Sequence, residues 1–182
     1  LYTGGDARFQ FLSTGVIDIP MLSNSEQCAD MTMRVRAEYL FSHGRYSEIR
    51  FQDVNGNTLQ YQGGASRKAL EKFLKKAYGV CSTFSVSRET KPRKISDVQP
   101  GDVLVYPARK LEGMGHALIV IDVARNGKKV AIMCAEGNTP ARELHIVRNP
   151  NPISNPWFFF NGDESMLFVS IFHFGRNELR YY

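Results

Sequence analysis

The sequence predicts an α+β fold: one domain over residues 1–182, with an antiparallel sheet packed on an N-terminal helix. Three observations carry this. Helical periodicity is confined to the first half, in "SNSEQCADMTMRVRAEYLFSHG" and "SRKALEKFLKKAYG". From Val98 onward, apolar residues fall in short runs separated by turn dipeptides such as Pro100-Gly101 and Asn126-Gly127. No repeat, linker or low-complexity tract divides the chain, and 182 residues of 43% hydrophobic composition suit one core.

The elements follow in order. "GVIDIP" predicts one short strand that Pro20 ends. "SNSE" offers a capping box, with Ser23 as N-cap and Glu26 three residues later, so a first helix runs from there to Gly44 with Cys28 in its first two turns. "EIRFQDVNGNTLQYQ" alternates on both sides of Asn55-Gly56 and predicts a hairpin. A second, amphipathic helix between Ser66 and Gly79 carries Leu70, Phe73, Leu74 and Ala77 at helical spacing. The strands that follow are "DVLVYP", "HALIVIDVA", "KVAIMCA", "ELHIVRN" and "MLFVSIFHF". "NPNPISNP" reads as an ordered surface loop, and the "PWFFF" run as core or loop anchor.

Charge and composition narrow the function classes. The net charge of +5 comes from 23 Lys and Arg against 18 Asp and Glu, concentrated in "SRKALEKFLKKAYG", "KPRK" and "ARK". Without a nucleic-acid motif this is a solvated basic face, so no nucleic-acid partner is expected, and a polyanion-binding module rests on charge alone. No run approaches the roughly 18 apolar residues of a spanning helix, so no integral membrane segment is expected. The chain starts at Leu1 without a charged and then apolar leader, and the expectation is that any targeting segment was removed or never present. Cys28, Cys81 and Cys134 are too few and too scattered for a disulfide framework. His43, His145 and His173 stand apart, no Cys-x-x-Cys or His-x-His pair occurs, and neither a metal nor another cofactor is expected. The expected state is a monomer.

Two residue types suggest chemistry. A helix N-terminus favours a thiolate through its unpaired amides and dipole, and Cys28 has that position. A hydrolytic thiolate also needs a histidine to move the proton and a third group to orient that histidine. His116 follows Gly113 and Gly115 at the mouth of an apolar strand, placed half in water and half against the core. Strand parity restricts the third group: a plain two-residue Asn126-Gly127 turn sets His116 opposite Gly137, whereas an odd turn or a bulge brings it to Glu136 or Asn138. Glu136 is the first choice and Asn138 the second. The structural readings stand beside these. Cys28 shares a helical stripe with Met31, Val35 and Tyr39 as a small buried hydrophobe would, His116 alone suits a structural role, and Cys81 and Cys134 read as structural.

The segments "EQCADMTMRVRAEYLFSHGRY", "GHALIVIDVA", "TPARELHIVRNP" and "NPWF" resemble the signature segments of an uncharacterised bacterial family, a secreted or lipoprotein-type domain of unknown function. More distantly, the order of Cys on a helix, then "GDVLVY", then "GHALIVI" resembles the NlpC-type papain-like cell-wall peptidases. That resemblance implies a papain-like domain with Cys28 as nucleophile, His116 as proton carrier and Glu136 as third member. It also implies a cell-wall peptide or other amide substrate and a secreted, periplasmic or cell-envelope location. The run around the cysteine is "QCAD" where Asp-Cys-Ser is common in those peptidases, and the third group is an acid where His, Asn or Gln is usual. The alternative is a non-catalytic glycan- or peptide-binding domain on the same fold.

Overall fold

The computed structural model describes residues 1–6, 10–108 and 113–182. Two residues of the basic "ARK" cluster, at 109 and 110, lie outside them. Three helices, α1 (Cys28–Ser42), α2 (Arg67–Tyr78) and α3 (Thr83–Glu89), precede most of the strands. The strands are β1 (Ser13–Val16), β2 (Arg50–Gln52), β3 (Thr58–Gln60), β4 (Lys91–Pro92), β5 (Val103–Tyr106), β6 (His116–Asn126), β7 (Lys129–Glu136), β8 (His145–Val147), β9 (Phe158–Phe160), β10 (Met166–Val169), β11 (Phe172–Gly175) and β12 (Leu179–Tyr181). The main sheet runs β1-β8-β7-β6-β5-β12-β4, with β9 also pairing to β7, and every pairing is antiparallel. β2–β3 and β10–β11 form separate hairpins.

Both faces of this sheet are covered, which explains why "ALIV" after His116 is apolar throughout instead of alternating. Ala117, Ile119 and Ala135 meet Met31, Met33, Leu40, Leu70, Leu74 and Val86 of the three helices. Leu118, Val120, Ile132 and Cys134 point the other way, into Phe158, Phe160, Leu167, Val169 and Phe174. Cys134 is therefore an apolar core residue.

The first helix departs from the sequence expectation. It starts at Cys28, with Gln27 as N-cap, and the Asp30 carboxylate accepts the Gln27 N–H at 2.9 Å. Ser23 is not the cap, because Glu26 has another task. Glu26 is fully buried and accepts from the Leu22 N–H at 2.6 Å, from the Tyr78 hydroxyl at 2.8 Å and from Arg34 at 3.1 Å. Three donors hold the residues before Cys28 out of the helix and tie its first turn to the end of α2. At the other end Gly44 stops the chain at φ 69°.

Other elements moved too. α3 escaped the periodicity because it is seven residues long and rich in Ser and β-branched side chains, and Ser82 caps it through the Phe84 N–H at 3.2 Å. The "GVIDIP" strand shifts upstream to β1, leaving Ile17 to donate one bond to the Leu144 carbonyl at 2.8 Å. "MLFVSIFHF" divides into β10 and β11 around Ser170, which adopts φ 57°. Part of the aromatic run, Phe158–Phe160, forms β9.

Removing Glu26 leaves Arg34 buried with Glu38 still bonded at 2.6 Å, and takes the acceptor from the Leu22 N–H and the Tyr78 hydroxyl. Glu26→Ala is expected to cost about 3 kcal/mol or more in urea unfolding, and Glu26→Gln, which keeps an acceptor, clearly less.

Candidate functional site

The site forms where β6 begins, β7 ends and α1 begins. Cys28 is the first residue of α1, and its backbone N–H has no acceptor one turn back within the helix. Gly137 follows β7 directly, and a Cβ there would overlap Met31 and crowd the Gln27 carbonyl at 3.1 Å. Only glycine lets the end of β7 approach the first turn of α1 this closely. Gly115 does the same for His116, since a Cβ would run into Thr83 of α3 and the Tyr106 carbonyl.

The β6–β7 register decides the parity question. The turn holds two residues, but they are Gly127 and Lys128, because Asn126 pairs with Lys129. A bulge at Ile121 then shifts the register, so that Val120 faces Cys134 and Ile119 faces Ala135. Continued along the strands, that register sets Leu118 opposite Glu136 and His116 opposite Asn138. His116 and Glu136 thus share a face, two residues apart. The side chains meet there, and the His116 Nε2–H donates to Glu136 Oε2 at 2.5 Å. Asn138 turns its carbonyl oxygen to the Thr139 N–H at 2.7 Å.

His116 is buried, 7% exposed, and not half in water as expected. The ring of Phe172, in the β11 strand of the second layer, covers it at 4.1 Å between centroids with 21° between planes. With Nε2 taken by Glu136, the Cys28 thiol is the ring's other polar neighbour and acts on its protonation as a hydrogen-bonding partner. Burial opposes the imidazolium, but the bonds and charges of Cys28 and Glu136 outweigh it and raise His116 to about 9. Burial likewise opposes the Glu136 carboxylate, and His116 and His145 overcome it, drawing Glu136 down to about 2.

The other two thiols are held in their protonated form. Burial pushes Cys81 up to about 12, and its thiol donates to the Gln52 carbonyl at 3.2 Å. Burial also pushes Cys134 up. All three cysteines are free.

Cys28 borders a cleft of about 490 Å³. Asn24, Ser25, Tyr78, Ser82, Thr83 and Thr139 give its wall hydroxyls and amides, and Met114 stands exposed nearby. Thr139 Oγ1 donates to Gln27 Oε1 at 3.0 Å, joining the segment after β7 to the helix N-cap. Asp30 also borders the cleft, and burial raises it to about 7 against the bond from the Gln27 N–H. Among the described residues no group of three or more His, Cys, Asp or Glu could hold a metal ion, and no helix is long and apolar enough to cross a membrane.

Two members of the cluster escaped the sequence reading. His145 Nε2, at the start of β8, lies 3.1 Å from Glu136 Oε1. Arg142 Nη2 lies 2.5 Å from that same nitrogen and 3.7 Å from Glu136 Oε1. Their signal was the "TPARELHIVRNP" segment, where a histidine opens a short apolar strand just as His116 does.

The chain belongs to the family described as domain of unknown function 4846, whose model matches residues 1–65 and 62–181. No curated protein and no solved structure matches the chain.

The two shifts set how the stability contributed by this pair depends on pH. His116, raised from 6.5 to about 9, contributes stability that is complete below 6.5 and lost as pH rises through about 9. Glu136, lowered from 4.5 to about 2, contributes stability that is complete above 4.5 and lost as pH falls through about 2. The stability gap between wild type and Glu136→Gln is therefore expected to be widest between pH 4.5 and 6.5 and to narrow on both sides. Urea unfolding of both proteins from about pH 2 to about pH 9 checks it, and a gap that stays flat over that whole span contradicts the ion pair.

Proposed function

We propose that this chain is a papain-like cysteine hydrolase, related to the NlpC-type peptidases, that cleaves a peptide or amide bond in bacterial cell-wall material. The observation that carries the reading is the order of contacts: a thiol at a helix N-terminus, an imidazole in reach of it, and a carboxylate on the far ring nitrogen. Nucleophilic thiol catalysis needs these three parts in this sequence. A location outside the cytoplasm, in the envelope or beyond, fits that substrate.

The chemistry follows from the geometry. The Cys28 thiol passes its proton to His116, and Glu136 favours the resulting imidazolium. The thiolate attacks the carbonyl carbon, and the oxygen takes up the negative charge of the tetrahedral intermediate. Unpaired amides of the first α1 turn, the Cys28 N–H among them, hold that oxygen. Collapse breaks the C–N bond while His116 gives its proton to the departing amine, leaving a thioester on Cys28. His116 then takes a proton from water, the hydroxide attacks the thioester, and release of the acid returns the proton and frees Cys28.

A second reading, a glycan- or peptide-binding domain without turnover, is favoured by the hydroxyl- and amide-rich cleft wall alone. Hydrolysis of muropeptides separates the two. Cys28→Ala is expected to abolish product release while thermal unfolding stays close to wild type. His116→Ala is expected to lose about 10²–10⁴-fold. Cys134→Ala, which empties a core site, is expected to lower stability by about 1 kcal/mol or more with turnover retained at permissive temperature. Equal turnover by wild type and Cys28→Ala removes Cys28 as nucleophile, and tight muropeptide binding without cleavage by wild type favours the binding domain.

A further inference from the structure

The contacts of His145 cannot all be made in one protonation state. Its Nδ1 lies 3.2 Å from the Glu143 carbonyl, which can only accept, so Nδ1 carries a proton. Its Nε2 faces two different groups, a guanidinium N–H of Arg142 at 2.5 Å and the carboxylate oxygen Oε1 of Glu136 at 3.1 Å. A bare Nε2 accepts from Arg142 and sets its lone pair against Glu136. A protonated Nε2 donates to Glu136 and turns its proton against Arg142. The proton on Nε2 thus selects which neighbour holds the ring.

Glu136 Oε1 has a matching need. Glu136 is 1% exposed, and His116 occupies only Oε2. Among the described residues, His145 faces Glu136 from β7, Arg142 and the Glu143 backbone from the preceding loop, and β1 carries no titratable side chain. Asp6 borders the same cavity as His145, Arg142 and the Glu143 side chain.

We propose that His145 is a positioning residue for the catalytic pair: as an imidazolium it pins Glu136 Oε1 and keeps Oε2 aimed at His116, and as a neutral ring it is drawn off by Arg142. The proposal rests on the hydrolase reading for its catalytic meaning, but its test needs no substrate. When His145 releases Glu136, Oε1 keeps the Arg142 guanidinium at 3.7 Å in place of the 3.1 Å contact with His145, and the carboxylate's grip on the His116 proton weakens. The two histidines therefore titrate as a coupled set.

The experiment follows the ring protons of all four histidines by NMR against pH, in wild type and in His145→Gln and His145→Asn. Side-chain amides keep a donor for Glu136 but cannot change charge. In wild type the His116 signals are expected to move in two steps, one of them shared with the His145 signals. Whichever amide variant folds is expected to show one His116 step. A single His116 step in wild type, or two steps surviving in an amide variant, overturns the proposal.

In parallel, the alkylation rate of Cys28 by iodoacetamide is recorded against pH, with Cys81 and Cys134 as internal references. A rate profile that loses the step matching His145 in the amide variants supports the positioning role, and an unchanged profile overturns it. A wild-type Cys28 no faster than Cys81 counts instead against the hydrolase reading, and the NMR result then still decides the coupling between His145 and His116.

Discussion

A carboxylate buried as deeply as Glu136 has to be met by donors, and the surroundings of the site follow from that requirement. Taking an ion out of water costs several kcal/mol unless charge and hydrogen bonds replace the lost hydration. Here the replacements come from three places: His116 from the start of β6, His145 from the start of β8 and Arg142 from the loop between β7 and β8. β7 lies between β6 and β8, so a carboxylate on its last residue reaches a histidine on each side. The strand order of the sheet and the ligation of Glu136 are therefore one fact seen at two scales.

The thiol is brought to this cluster by close approach of backbone. Gly137 lets the end of β7 pass beside Met31 and Gln27, and the Thr139–Gln27 bond closes the same gap from the other side. Glu26 fixes the helix start from below by holding Leu22, Arg34 and Tyr78 at once. Cys28 thus sits at the N-terminus of a helix whose position is determined from the sheet, from α2 and from the preceding chain. Pre-organisation of this kind is what a nucleophile needs, since rigid placement removes the entropy of finding the proton acceptor.

Much of the frame was legible in the sequence because its signals are local. The α2 helix shows in Leu70, Phe73, Leu74 and Ala77, the β2–β3 hairpin in Asn55-Gly56, and β5 to β8 in apolar runs between turns. What escaped depends on distant partners. Ser23 and Glu26 match a capping box in spacing, yet Glu26 is recruited by Arg34 and by Tyr78, 52 residues away, and the helix starts five residues later. The site divided in the same way. Cys28 and His116 were singled out by type and order, and parity narrowed the facing partner of His116 to Glu136 or Asn138 once the turn is odd or a bulge intervenes, because a strand pairing constrains which side chains share a face. The bulge at Ile121 was not, since no residue there demands it, and His145 and Arg142 join only through β8 pairing at the far edge of β7.

The cost of the cluster bears on which proposed reading is stronger. Four ionisable side chains, each less than one-tenth exposed, meet at the end of a sheet whose other interior positions are apolar. Apolar residues of similar volume commonly serve stability as well or better at such a place, so stability alone does not account for the arrangement. A glycan- or peptide-binding cleft has no use for an imidazole raised to about 9 and kept from solvent by Phe172. A cysteine nucleophile does, because a histidine held by a carboxylate beside the thiol carries the proton that thiol chemistry has to move. Strong perturbation by specific partners beside a cleft is the pattern of groups tuned for chemistry. The burial of His116 and the ligation of Glu136 therefore weigh toward the hydrolase over the binding domain.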